Sequence, residues 1–70
     1  MDREPVGSSN LASIGYDEDT EILEIEFLNG SVYEYKNIPI GIYNQLMGAG
    51  SQGSFFNHEI RNLFPYEKIG

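Results

Sequence analysis

Apolar residues fall on alternate positions between Asn10 and Tyr35, and from Ile38 onward they recur three and four residues apart. The first spacing is that of a strand with one buried face and the second that of an amphipathic helix. In Asn10 to Tyr16, Ala12, Ile14 and Tyr16 share a face. Asp17-Glu18-Asp19-Thr20 is a polar turn. Glu21 to Leu28 then sets Leu23, Ile25 and Phe27 on one side and Glu24 and Glu26 on the other, the strongest alternation in the chain. That second strand has a wet, acidic face. The third carries Tyr33 and Tyr35 on one side with Glu34 between them.

The turns must bring these faces into agreement, because a one-residue slip sends every side chain to the opposite face. A two-residue turn at Asp19-Thr20 opposes Tyr16 to Leu23, Ile14 to Ile25 and Ala12 to Phe27, which keeps the apolar sides together. At Asn29-Gly30 a two-residue type I′ turn fails, since it sets Ile25 against Glu34 and Leu23 against Lys36. A three-residue loop, Leu28-Asn29-Gly30, with Gly30 left-handed in a bulge, instead opposes Ile25 to Tyr33 and Leu23 to Tyr35.

Pro39 suits a first helical turn, where its missing N–H is no loss. Ile42, Tyr43, Leu46 and Met47 follow at helical spacing to Gly48. Ser51 caps a second helix, along which Phe56, Ile60 and Leu63 recur before Pro65 ends it. The prediction is an α+β fold, a three-stranded antiparallel β-meander with two C-terminal helices packed on one face, in the order βββαα. Residues 1–9 read as a flexible N-terminal lead-in, and residues 10–70 as a single domain.

With 70 residues there is room for one small core, and without cysteine neither a disulfide nor a thiolate metal site reinforces it. Nine phenylalanines and tyrosines supply large buried areas instead. Eleven acids against Arg3, Lys36, Arg61 and Lys68 give a net charge of −7. That charge opposes binding to phosphate backbones and anionic membranes, both of which want clustered bases. With neither a signal-peptide pattern nor an apolar stretch of transmembrane length, the expected location is cytoplasmic.

Ser8-Ser9-Asn10, Ile14-Gly15-Tyr16-Asp17, Leu23 to Phe27, Gly30, Tyr33-Glu34-Tyr35, Ile38-Pro39, Tyr43, Leu46, Ser51-Gln52-Gly53, Phe56-Asn57, Ile60 and Pro65-Tyr66 together resemble the KTSC domain family. The likeness runs over nearly the whole chain, which makes residues 10–70 a KTSC-like domain. It implies a small stand-alone bacterial protein with a central Tyr-x-Tyr motif, here Tyr33-Glu34-Tyr35. It also implies kinship with domains at the C-terminus of some lysyl-tRNA synthetases. The family has no established activity, and RNA binding is suggested for it by that association.

Gly48-Ala49-Gly50-Ser51-Gln52-Gly53 matches G-x-G-x-x-G, but a helix precedes it where a dinucleotide fold needs a strand, so it reads as a capped helix–helix turn. That helix N-terminus, with Ser51, Gln52 and Ser54 nearby, could still hold a phosphate or carboxylate on backbone N–H groups. Tyr33 and Tyr35 could stack bases, though the predicted register turns them into the core. His58 with Ser51, Ser54 and Asp17 has no nucleophile elbow to fix a triad, and reads as a solvated helix residue. Asp17-Glu18-Asp19 with Glu21 begins like a calcium loop and lacks its glycine and closing glutamate. Asn29-Gly30-Ser31 spells a glycosylation acceptor that a cytoplasmic chain would not use.

The expectation is a non-enzymatic accessory domain with no cofactor or metal, binding a protein partner or itself through the outer sheet face or an edge strand. RNA, tRNA included, is the alternative, which the net charge disfavours. The candidate ligand residues are Tyr33, Tyr35, Lys36, Ser51, Gly53, Asn57 and Arg61.

Overall fold

A computed structural model describes residues 1–70. In it the predicted meander is the middle of a wider sheet: β1 (Glu4–Pro5), β2 (Leu11–Asp17), β3 (Ile22–Phe27), β4 (Val32–Tyr35) and β5 (Tyr66–Lys68) lie side by side in chain order. Every pairing is antiparallel. The expected three-stranded sheet is therefore corrected to five strands, and the helices, α1 (Ile40–Gly48) and α2 (Gln52–Glu59), precede the last strand instead of ending the chain. β1 falls within the segment read as a lead-in. Both added strands are two or three residues long, too short to display a period.

The predicted hairpin registers hold where the apolar faces meet. Ile14 opposes Ile25 and Tyr16 opposes Leu23, while Ile25 opposes Tyr33 and Leu23 opposes Tyr35. Gly30 closes the three-residue loop at φ +91°, a conformation that residues with a Cβ avoid. Two details differ. Residues 18–21 form a four-residue loop instead of a two-residue turn, with Glu21 left-handed at φ 57°. A bulge between Leu11 and Ser13 removes Ala12 from the register, so that Leu11 opposes Phe27 and is fully buried. The extra residue thereby exchanges a small core side chain for a large one.

Leu11, Ile14, Leu23, Ile25, Tyr35, Ile38, Leu46, Phe56 and Ile60 form the core. Phe56 packs edge-on against Tyr35 and Phe27, with centroids at 5.1 and 5.6 Å. The Ile38-Pro39 connection into α1 is pinned from two sides: the Ile38 N–H donates to the Glu21 carbonyl at 2.9 Å, and the Tyr16 hydroxyl donates to the Ile38 carbonyl at 2.6 Å. The Tyr16 ring stacks on Tyr43 of α1. Ser51 caps α2 by accepting from the Ser54 N–H at 3.3 Å. Helix α2 stops at Glu59, short of Pro65, because Ile60 leaves helical geometry at φ −124° and a turn carries Leu63 into solvent. No helix is long and apolar enough to cross a membrane.

The outer sheet face is less wet than the alternation predicts. Arg3 reaches over it to ion-pair with Glu24 and to donate to the Ser13 hydroxyl, which itself donates to Glu26. Glu24 is buried as a result.

The early end of α2 separates two residues that an uninterrupted helix would treat alike. Ile60→Asp would bury an unpaired carboxylate and is expected to unfold the domain, since a single core of this size rarely supplies more than about 3–5 kcal/mol. Leu63→Asp should change stability by no more than about 0.5 kcal/mol. Urea denaturation followed by circular dichroism measures both, and equal losses would put Leu63 on a core-facing helical surface.

Candidate functional site

β4 presents Tyr33 and Tyr35 on the helix side because they lie two apart, and β5 adds Tyr66 directly opposite Tyr35. The three rings form a continuous cluster: Tyr33 and Tyr35 stack with centroids at 6.4 Å, and Tyr66 lies 6.0 Å from Tyr33 and 5.6 Å from Tyr35. They floor a cleft of about 470 Å³. Arg61 and Asn62, in the turn after α2, make one wall. The β3–β4 loop contributes Leu28, Asn29 and Ser31, and the bend just before β2 contributes Ser9 and Asn10.

Burial grades the tyrosines. Tyr35 is almost wholly in the core, Tyr33 is half-buried and Tyr66 is exposed. The expected core placement holds for Tyr35 and only half for Tyr33. Tyr35 lines the cleft, and since no buried polar side-chain atom lacks a partner, its hydroxyl meets the open space there. Burial raises its pKa above the usual phenol value, and the nearby Arg61 guanidinium partly offsets that rise. Arg61 itself is exposed and has no carboxylate partner. Its contact is with the Asn57 side-chain oxygen at 3.4 Å.

Not one lining residue is acidic, although the chain has eleven acids. The register explains this. Glu24, Glu34 and Glu67 oppose one another across β3, β4 and β5, on the face away from the helices. Two of the four strong bases are engaged on that face as well, Arg3 with Glu24 and Lys36 with Glu67 at 3.3 Å. Arg61 and Lys68, which make no ion pair, belong to the cleft side, Lys68 as the register partner of Tyr33.

Of the residues singled out from sequence, Tyr33, Tyr35 and Arg61 come together here, and Asn57 supports Arg61 from α2. Lys36 does not join them, being on the opposite face. Ser51 is occupied as a helix cap. Gly53 is buried where α2 meets the segment before β2: a Cβ there would lie 3.0 Å from Ser8 Oγ and 3.3 Å from Asn10 Cβ, so its role is close packing. Tyr66, Asn62 and Asn10 are site residues that sequence reasoning missed. Only the fold's closure brings them to the cleft, although Tyr66, just after Pro65, carried a usable hint as an aromatic outside any helical pattern.

His58 and Ser54 are close without forming a catalytic pair. The ring Nδ1 is 2.9 Å from the Ser54 carbonyl oxygen, to which it donates, and 3.4 Å from Ser54 Oγ. Both residues are exposed on one helical face, and neither lines a cavity.

Comparison with known proteins is consistent along the whole chain. The family model described as the KTSC domain matches residues 7–64. An uncharacterised protein of Stutzerimonas stutzeri is 42% identical over 57 residues, 81% of this chain and 80% of its own. A lysine–tRNA ligase of Nostoc punctiforme is 38% identical over 65 residues; the match takes in 93% of this chain and only 11% of the ligase. The crystal structure of a KTSC domain protein from Yersinia pestis superposes with a TM-score of 0.93 at 43% identity, covering 99% of this chain and 97% of that one.

The raised pKa of Tyr35 makes stability depend on alkaline pH. The native state keeps its phenolic proton where the unfolded chain, titrating near about pH 10, has lost it. The stabilisation is thus fully present below about pH 10 and is lost as pH rises through the higher native pKa. Thermal melts over the alkaline range should show this fall, and Tyr35→Phe should make it shallower. An unchanged slope in the variant would mean that Tyr35 is not the group responsible.

Proposed function

This chain belongs to the KTSC domain family, and on that premise we propose that it is a small non-enzymatic binding domain whose working surface is the tyrosine-lined cleft. The observation that carries the reading is the partition of charge. The acids opposed across β3, β4 and β5 lie on one face, while the two bases without ion-pair partners flank three tyrosines on the other. Leu28 and Tyr66 at the cleft margin are among the few large apolar side chains left exposed, at 61% and 58%. Exposed aromatic and aliphatic surface beside an unneutralised guanidinium suits recognition of a flat ring or apolar group that carries negative charge.

Edge-to-edge pairing of two copies has weaker support. The outer strands are two and three residues long and Pro5 sits in one of them, so neither offers a long template. Catalysis lacks an assembled set of groups, since the Ser54–His58 contact is local to one exposed helical turn.

Phenyl phosphate is a minimal probe of such a cleft. In an amide NMR titration it should shift Arg61, Asn62 and Tyr66, with benzamidine, its cationic counterpart, leaving them in place. Shifts confined to the outer sheet face, or none with either compound, would remove the cleft as the working surface.

A second reading, binding of RNA including tRNA, is favoured by the similarity to a segment of lysine–tRNA ligases. Only Arg61 and Lys68 are free to meet phosphates on the cleft side. Labelled tRNA should therefore bind with a log–log salt slope no steeper than about −1.4, at about −0.7 for each phosphate neutralised on a single strand. No binding at low salt eliminates this reading, and a far steeper slope would place the contacts elsewhere.

A further inference from the structure

We infer that the cleft receives one nucleotide, its base against the Tyr66 and Tyr33 rings and its phosphate on Arg61. This assignment rests on the cleft being the binding site. Three features narrow a flat anionic ligand to this class. The first is size: about 470 Å³ lies in the range of small-molecule sites and holds one such unit, but not a duplex. The second is the exposed ring of Tyr66, tilted 34° and 50° to its neighbours, which extends the aromatic floor to the cleft mouth, where an unpaired base can stack.

The third is the polar inventory. The carboxamides of Asn10 and Asn62 make no hydrogen bond inside the protein, whereas the side-chain oxygen of Asn29 already accepts from the Ser31 N–H and hydroxyl. A free primary carboxamide offers a donor and an acceptor side by side, the pattern that pairs with the edge of a base. A simple aromatic carboxylate, which only accepts, has no donor for the carboxamide oxygens. Arg61 supplies a single strong phosphate contact. Binding of this kind tolerates an acidic protein, because it takes one charge from the ligand instead of following a backbone.

Nucleotides can come free or as unpaired units of a strand, and the shared chemistry is tested first. Calorimetry with the full chain would compare AMP and UMP with adenosine, ribose 5-phosphate, phenyl phosphate and N-acetylphenylalanine. At least one nucleotide should bind about tenfold or more tighter than ribose 5-phosphate, the gain that stacking of one base supplies. Arg61→Met should weaken nucleotides about tenfold while hardly changing adenosine, and Tyr66→Leu should weaken both. Each residue is exposed, and a dispersed NMR spectrum verifies that the variants fold. Single-stranded tetranucleotides then separate the sources: tighter binding than the mononucleotide identifies a strand, and equal binding a free nucleotide. N-acetylphenylalanine matching the nucleotides, Arg61→Met without effect, or preference for a blunt duplex would each overturn the inference. Phenyl phosphate binding as well as any nucleotide would overturn it while leaving the cleft reading intact, and silence from every probe would end both.

Discussion

The pairing register of β3 with β4 is the constraint on which the rest of the molecule depends. Side chains alternate across a sheet, so the three-residue loop closed by left-handed Gly30 decides in one step that Tyr33 and Tyr35 face the helices and Glu34 faces away. A loop one residue shorter would invert this. It would expel the aromatic floor of the cleft, bring carboxylates under Phe56, and leave Leu23 and Ile25 without their partners. One glycine thus governs both the core and the distribution of charge.

That distribution has a cost that the fold only partly offsets. Like charges directly opposite on neighbouring strands destabilise a sheet, and Glu24, Glu34 and Glu67 form such a row. Arg3 covers one end of it and Lys36 the other, which takes half of the chain's strong bases out of circulation. The remaining pair, Arg61 and Lys68, is left on the tyrosine side. A net charge of −7 therefore describes the molecule poorly: one face is acidic and restrained, while the cleft on the other is lined by no acid and has unneutralised bases beside its aromatic rings. Arguments from total charge against any anionic ligand hold for the first face and fail for the second.

What was legible in the sequence follows from what produces a period. Leu23, Ile25 and Phe27 alternating with glutamates predict both β3 and its register, and Ser51 before an apolar helical pattern predicts the cap of α2. Features set by contacts distant in sequence left no such trace. The bulge at Ala12 follows from the fit of Leu11 opposite Phe27, and β1 and β5 exist because a preformed edge accepts two or three residues each. Leu63 misled because its spacing from Phe56 and Ile60 is helical, whereas the chain must turn after Ile60 to bring Tyr66 alongside Tyr35. Half of the candidate site was visible for the same reason. Tyr33 and Tyr35 lie within a periodic strand, but Tyr66, Asn62 and Asn10 reach the cleft only through closure of the fold.

The cleft itself is a matter of dimensions. At about 1.5 Å per residue, helices of nine and eight residues are about 13.5 and 12 Å long. Five strands at about 4.8 Å spacing make a sheet about 19 Å across. Two such helices cover a three-stranded meander and leave part of a five-stranded sheet bare. At the β1 end the open space, about 400 Å³, lies beside the stacked Tyr16 and Tyr43 and is bordered by Asp2 and Glu4, so that acids face it. At the β5 end, the strand that the chain adds after its helices lies at the outer side of β4, and the turn through Arg61 and Asn62 borders the exposed strip without filling it. Tyrosine is the residue suited to that position, since its ring can continue the core while its hydroxyl stays in water. The late edge strand that escapes the sequence pattern thus completes the site, and a domain ending at the second helix would keep Tyr33 and Tyr35 but lose Tyr66, the exposed part of the floor.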